Sequence, residues 1–117
     1  MATFSKQLLS GSTNGKAIKV AATATAGTLI HTAVSGTSNL DEIWVFAVNT
    51  STSSVKLTVE WGEATAPDGN IEVTVLPEAG MVTVIPGFLL QNALTVRAFA
   101  GTTNVISVHG FVNRITA

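Results

Sequence analysis

Residues 40–61, LDEIWVFAVNTSTSSVKLTVEW, constrain the fold more than any other stretch of the chain. From Glu42 to Val48 the run is rich in β-branched and aromatic residues, which suit a pleated backbone. Strand alternation puts Trp44 and Phe46 on one face and Ile43, Val45 and Ala47 on the other. A strand apolar on both faces has to be covered on both, by a core or by another chain. Val55, Leu57, Val59 and Trp61 then alternate with Lys56, Thr58 and Glu60, the pattern of a strand with one buried and one wet face. The polar residues 49–54 between the two predict the loop of an antiparallel hairpin.

The rest of the chain repeats this strand-and-turn text. Residues 16–22 (KAIKVAA) and 28–34 (TLIHTAV) read as the first two strands, with SGTSN closing the second. Pro67-Asp68-Gly69-Asn70 has the residues a tight turn needs, and residues 71–76 and 81–85 follow as strands. Pro86-Gly87 is expected to break the second of these, leaving Phe88, Leu89 and Leu90 as a plug for the core or an exposed contact. Residues 94–99 and 105–115 complete the set, with Gly110 placed for a bulge. Residues 1–15 read as an N-terminal arm. Phe4, Leu8 and Leu9 are its anchors or part of a short helical turn, Lys6 its cation, and SGSTNG its hinge. Residues 16–117 form the domain. The expectation is an all-β sandwich of about eight antiparallel strands in two sheets. A jelly roll is the first choice of topology and an immunoglobulin-like sandwich the second.

A chain of 117 residues supports one core. Apolar residues make up 46% of it and charged residues 11%, well below the usual quarter, so a monomer would leave much apolar surface in water. No run approaches the roughly 18 apolar residues of a membrane helix. A subunit that hides surface against copies of itself fits this composition. The net charge of -1 argues against binding nucleic acid through its phosphates. All seven acids lie between Asp41 and Glu78, with Lys6, Lys16 and Lys19 before them and Arg97 and Arg114 after. A basic N-terminal segment docking on an acidic neighbour is one reading of that layout, ordinary surface charge the other. There is no cysteine, hence no disulfide framework, and the first residues do not read as a secretory signal. Assembly in the cytoplasm is expected.

No constellation points to catalysis. His31 and His109 lack the spacing of zinc ligands and read as hydrogen-bonded histidines on a sheet. Glu60, Glu63, Asp68 and Glu72 sit where strand ends and loops put solvated acids, and nothing in their spacing marks a glycosidase pair. Gly62 and Gly69 make no phosphate loop. Trp44 and Trp61 are candidates for stacking a sugar ring, but their positions favour core or interface. Burial of both indoles would mark a structural role, and an indole exposed in a groove a carbohydrate-binding one. No enzyme activity, metal or cofactor is expected.

The segments LSGSTNGKAIKVAATAT, GTLIHTA, DEIWVFAVN, LTVEWG, IPGFLLQNALTVRAFA and VISVHGFVNRI together resemble small structural proteins of tailed bacteriophages, the head decoration or cement proteins. The resemblance spans residues 9–115 in pattern. It implies a homo-oligomeric β-sandwich, often a trimer, that binds the major capsid protein lattice on the outside of the virion and stiffens the shell. Phe4, Lys6, Leu8, Leu9, Trp44, Phe46, Phe88, Leu89 and Leu90 are the candidates for its contacts with the shell or with its own copies. A sugar-binding module of a tail, head fibre or receptor-binding protein is the alternative.

Overall fold

The computed structural model describes residues 2–117, and among them it contains nine β-strands and no helix. The strands are β1 (Thr3–Leu8), β2 (Ile18–Lys19), β3 (Thr28–Thr32), β4 (Leu40–Asn49) and β5 (Val55–Trp61). After the Pro67 turn come β6 (Asn70–Val75), β7 (Val82–Leu90), β8 (Thr95–Ala100) and β9 (Ile106–Thr116). They form two antiparallel sheets packed as a sandwich. In the five-stranded sheet the order is β1-β9-β4-β7, with β2 pairing the other end of β9. In the four-stranded sheet it is β3-β8-β5-β6. The core lies between them. Ile43, Val45, Ala47, Val108, Val112 and Ile85 of one sheet meet Leu57, Val59, Val75, Val96 and Ala98 of the other, all essentially solvent-free.

Several expectations need correction. The two central strands are not a hairpin: β4 pairs with β9 and β7, while β5 pairs with β6 and β8. The link between them arches from one sheet to the other. Asn49 holds its start, donating through Nδ2 to the carbonyls of Ser53 and Val75 at 2.8 Å each. Both strands carry an inward apolar row, and facing rows across a core satisfy that pattern as well as paired rows in one sheet.

The outer face of β5 is not wet along its length. Thr58 and Glu60 are buried, and the connection ahead of β3 folds over Glu60. Glu60 accepts a 2.7 Å bond from the Gly27 amide, and the Thr25 hydroxyl donates to its other oxygen.

Pro86-Gly87 does not end its strand. β7 continues to Leu90, with its register against β4 shifting between Ile43 and Trp44. Gly87 adopts φ +88, and the proline needs no partner for an N–H it lacks, so an irregular edge strand accommodates both. Nor does Gly110 form a bulge, since the β4–β9 ladder runs unbroken from Leu40–Ile115 to Asn49–Ile106. A side chain there is excluded by packing: a Cβ would fall on the Trp44 carbonyl oxygen and within 3.0 Å of Leu9 Cδ1.

The expected N-terminal arm is, over Thr3–Leu8, the edge strand β1, laid antiparallel on β9. Met1, the first residue of that expected segment, lies outside the described residues. The apolar spacing of Phe4, Leu8 and Leu9 gives no clean alternation, so nothing local marked the strand.

Candidate functional site

The side chains on the outer face of the five-stranded sheet follow from register. Directly opposed residues of an antiparallel pair point to the same side. Phe4 opposes Ile115, which opposes Leu40. The next outward row runs Lys6, Asn113, Glu42, Leu89 across β1, β9, β4 and β7. Beyond it come Leu8, Phe111, Trp44 and Pro86, and then His109, Phe46 and Thr83. One polar row therefore crosses a face that is otherwise largely apolar and aromatic. Among the described residues no second layer covers it: Phe4 is 70% exposed, Leu8 56% and Leu89 52%, and Trp44, Phe46 and Phe111 are half-buried.

The face is ordered by its own contacts. Trp44 and Phe111 stack with planes 11° apart and centroids 5.9 Å apart. Gly87 lies against the indole so closely that a Cβ there would collide with it, and Lys6 Nζ sits 4.3 Å from the Phe111 centroid, a cation–π contact. Glu42 Oε1 accepts from the Trp44 indole nitrogen at 2.9 Å and from Asn113 Nδ2 at 2.8 Å. Those bonds, Asn113 first, hold the carboxyl below its ordinary range. Its Oε2 has no hydrogen-bond donor among the described residues.

Six of the nine predicted contact residues, Phe4, Lys6, Leu8, Trp44, Phe46 and Leu89, thus converge on one face. Phe88 belongs to a separate patch, edge-on to Trp61 with centroids 6.0 Å apart and Leu94 nearby across Gly62. Leu9 and Leu90 are not surface residues: at 2% and 8% exposure they fill the core. The chain turns inward at Leu9, where the missing side chain of Gly110 leaves room. Sequence reasoning missed Phe111, Ile115 and Asn113. Outward alternation along β9 (Phe111, Asn113, Ile115) is the signal that contained them.

Neither tryptophan is fully buried, and neither stands in a groove. Phe111 and Gly87 pack the Trp44 ring, while Phe88 lies nearly perpendicular to Trp61. No pocket opens among the described residues, and no three metal-ligating side chains converge there.

The polar residues that do converge are internal. Asp41, fully buried, accepts from Arg114 Nε at 2.8 Å and Nη2 at 3.0 Å, from the Val34 amide at 3.0 Å, and from His31 Nε2 at 2.8 Å. His31 Nδ1 accepts the Ser10 amide at 2.9 Å, so Nε2 carries the proton. Burial pushes the Asp41 carboxyl up, but the bonds from Arg114 and His31 outweigh it and hold the group below its usual range. The same pairing raises Arg114. This network ties Ser10, β3, β4 and β9 together at one end of the sandwich. His31 is a hydrogen-bonded sheet histidine, as its strand context suggests. Comparison with family models, with curated proteins and with solved structures gives no match.

Proposed function

We propose that this chain is a non-enzymatic structural subunit of a bacteriophage particle. It associates with copies of itself and decorates the capsid by binding the major capsid protein lattice from outside, on particles assembled in the host cytoplasm. The observation that carries the reading is the outer sheet face, where Phe4, Leu8, Trp44, Phe46 and Phe111 form one uncovered surface. A contiguous apolar face of this kind marks a contact with another protein.

Two further features support it. The strand order β2-β9-β4-β7 over β3-β8-β5-β6 is one we read as a jelly roll, an arrangement common in viral shell proteins. The virion assignment itself draws on the resemblance of the segments around Leu9, Trp44, Phe88 and Val108 to decoration proteins. We assign the outer sheet face to self-association and the Phe88–Trp61–Leu94 patch to the shell.

The test is co-sedimentation of the purified protein with heads of its own phage that lack it. Wild type is expected to pellet with them at a fixed stoichiometry, and Phe88→Ser to stay in the supernatant while remaining folded. Failure of the wild type to bind such heads would overturn the capsid reading. Binding by both proteins would move the grip away from Phe88.

A further inference from the structure

The polar row across the outer face has a property that the apolar rows alone would not reveal. Reading across the strands, it places a cation on β1, a neutral amide on β9 and an anion on β4: Lys6, Asn113, Glu42. Lys6 forms no ion pair among the described residues, and Glu42 Oε2 has no donor there. Two sheets packed face to face by a two-fold operation must have the axis in the plane between them. An axis along the rows would set Lys6 against the other copy's Lys6. An axis along β9 does the reverse: Lys6 of each copy faces Glu42 of the other, and Asn113 faces Asn113.

The same operation pairs the apolar rows. Phe111 meets Phe111, Leu8 meets Trp44, and Phe4 meets Leu40. We infer that the outer face of the five-stranded sheet takes a second copy of this chain across a two-fold axis along β9. A patch complementary to itself gives an isologous dimer, whereas a three-fold ring needs two different patches that fit each other. The pairing therefore departs from the three-fold expected of a decoration protein.

The extent of the surface sets the strength. The β9 and β4 strands contribute about seven residues each and β1 about five, at about 3.3 Å per residue and about 4.8 Å between strands, which makes roughly 300 Å² in plan. Side-chain relief brings this to about the 500 Å² per partner at which specific interfaces begin. An interface of that size is at the low end for specific contacts, so association is expected to be weak and concentration-dependent, with sheets about 10 Å apart. The inference does not depend on the capsid reading: heads that fail to bind leave it standing, and a monomer leaves head binding open.

Charge exchange tests it. Wild type is expected to sediment as a reversible dimer of the 12.0 kDa chain. Lys6→Glu or Glu42→Lys alone sets like charges together twice per dimer and is expected to weaken association by about a hundredfold or more. The double variant restores both pairs. The sharper arm mixes the two single variants. The polar row of the first is then acidic at both ends and that of the second basic at both ends, so a heterodimer forms from two monomers. Should the single variants fail to fold, Asn113→Cys in this cysteine-free chain places one thiol at the axis. A short bis-maleimide then links two copies in high yield. A monomeric or trimeric wild type, single variants that associate normally, or a thiol at position 113 that never cross-links would each overturn the two-fold assignment.

Discussion

Replacing Asp41 by Asn exchanges one oxygen for an amide nitrogen inside a closed network. Four donors converge on the carboxylate: Arg114 Nε on Oδ1, and Arg114 Nη2, His31 Nε2 and the Val34 amide on Oδ2. Whichever way the amide turns, its NH₂ meets at least one N–H head-on, and the guanidinium loses its counter-charge. Breaking a buried pair by removing one partner costs about 3–5 kcal/mol. The Arg114 side chain keeps 29% exposure and so retains some hydration, which puts the expected loss near the low end, about 3 kcal/mol. For a domain of this size that is roughly 10–15 °C in Tm. Urea unfolding at a protein concentration low enough to suppress association would read it as a shifted midpoint with unchanged slope. The sign with pH follows from the depressed Asp41 carboxyl. Its contribution is fully present above the unfolded value near 3.9 and is lost as pH falls through the lower folded value. Wild type should therefore lose stability below about pH 4, and the Asn variant should lose less over that range. A loss under about 1 kcal/mol, or parallel acid limbs for the two proteins, would refute the reasoning that this network holds the end of the sandwich.

Gly110→Ala is expected to cost about 1–3 kcal/mol, since its methyl must displace the Trp44 carbonyl and also crowds Leu9, and thermal melting checks it. Deleting residues 2–7 should leave a folded sandwich by near-ultraviolet circular dichroism but abolish self-association by sedimentation. Extending the deletion through Ser10 should collapse the fold, because it removes Leu9 from the core and the Ser10 amide from His31.

The all-β sandwich was legible because residues 43–48 are β-branched or aromatic almost throughout, alternation along residues 55–61 and 71–75 is strict, and the turns between strands carry Pro, Gly, Asn and Asp. Which strands share a sheet was not legible. A polar link of a few residues serves an arch between sheets as readily as a hairpin within one, and the difference rests on long-range pairing with β9 and β8. The Asp41–Arg114 pair was invisible for the same reason: the partners are 73 residues apart in the chain. The outer face was half legible. Trp44 and Phe46 were placed correctly on one side of β4, but their neighbours Phe111 and Leu8 come from opposite ends of the chain.

Strand β1 connects the fold to assembly. Ordering a residue's backbone costs about 1–2 kcal/mol, and β1 is six residues long. It is paired on one side only, and a hydrogen bond returns about 1 kcal/mol net. Phe4 at 70% exposure and Leu8 at 56% add little burial within one chain. On these terms β1 is close to balanced between lying on β9 and fraying from it. Covering the outer face changes the balance, since full burial of Phe4 and Leu8 contributes about 1.5–3 kcal/mol each. In the proposed two-fold pairing it also sets Lys6, carried by β1, against Glu42 of the other copy. Docking β1 thus completes the surface that a partner covers, and the partner in turn holds β1 in place. In the proposed dimer the two equilibria are linked, and the edge strand β1 is expected to be held more firmly as copies associate.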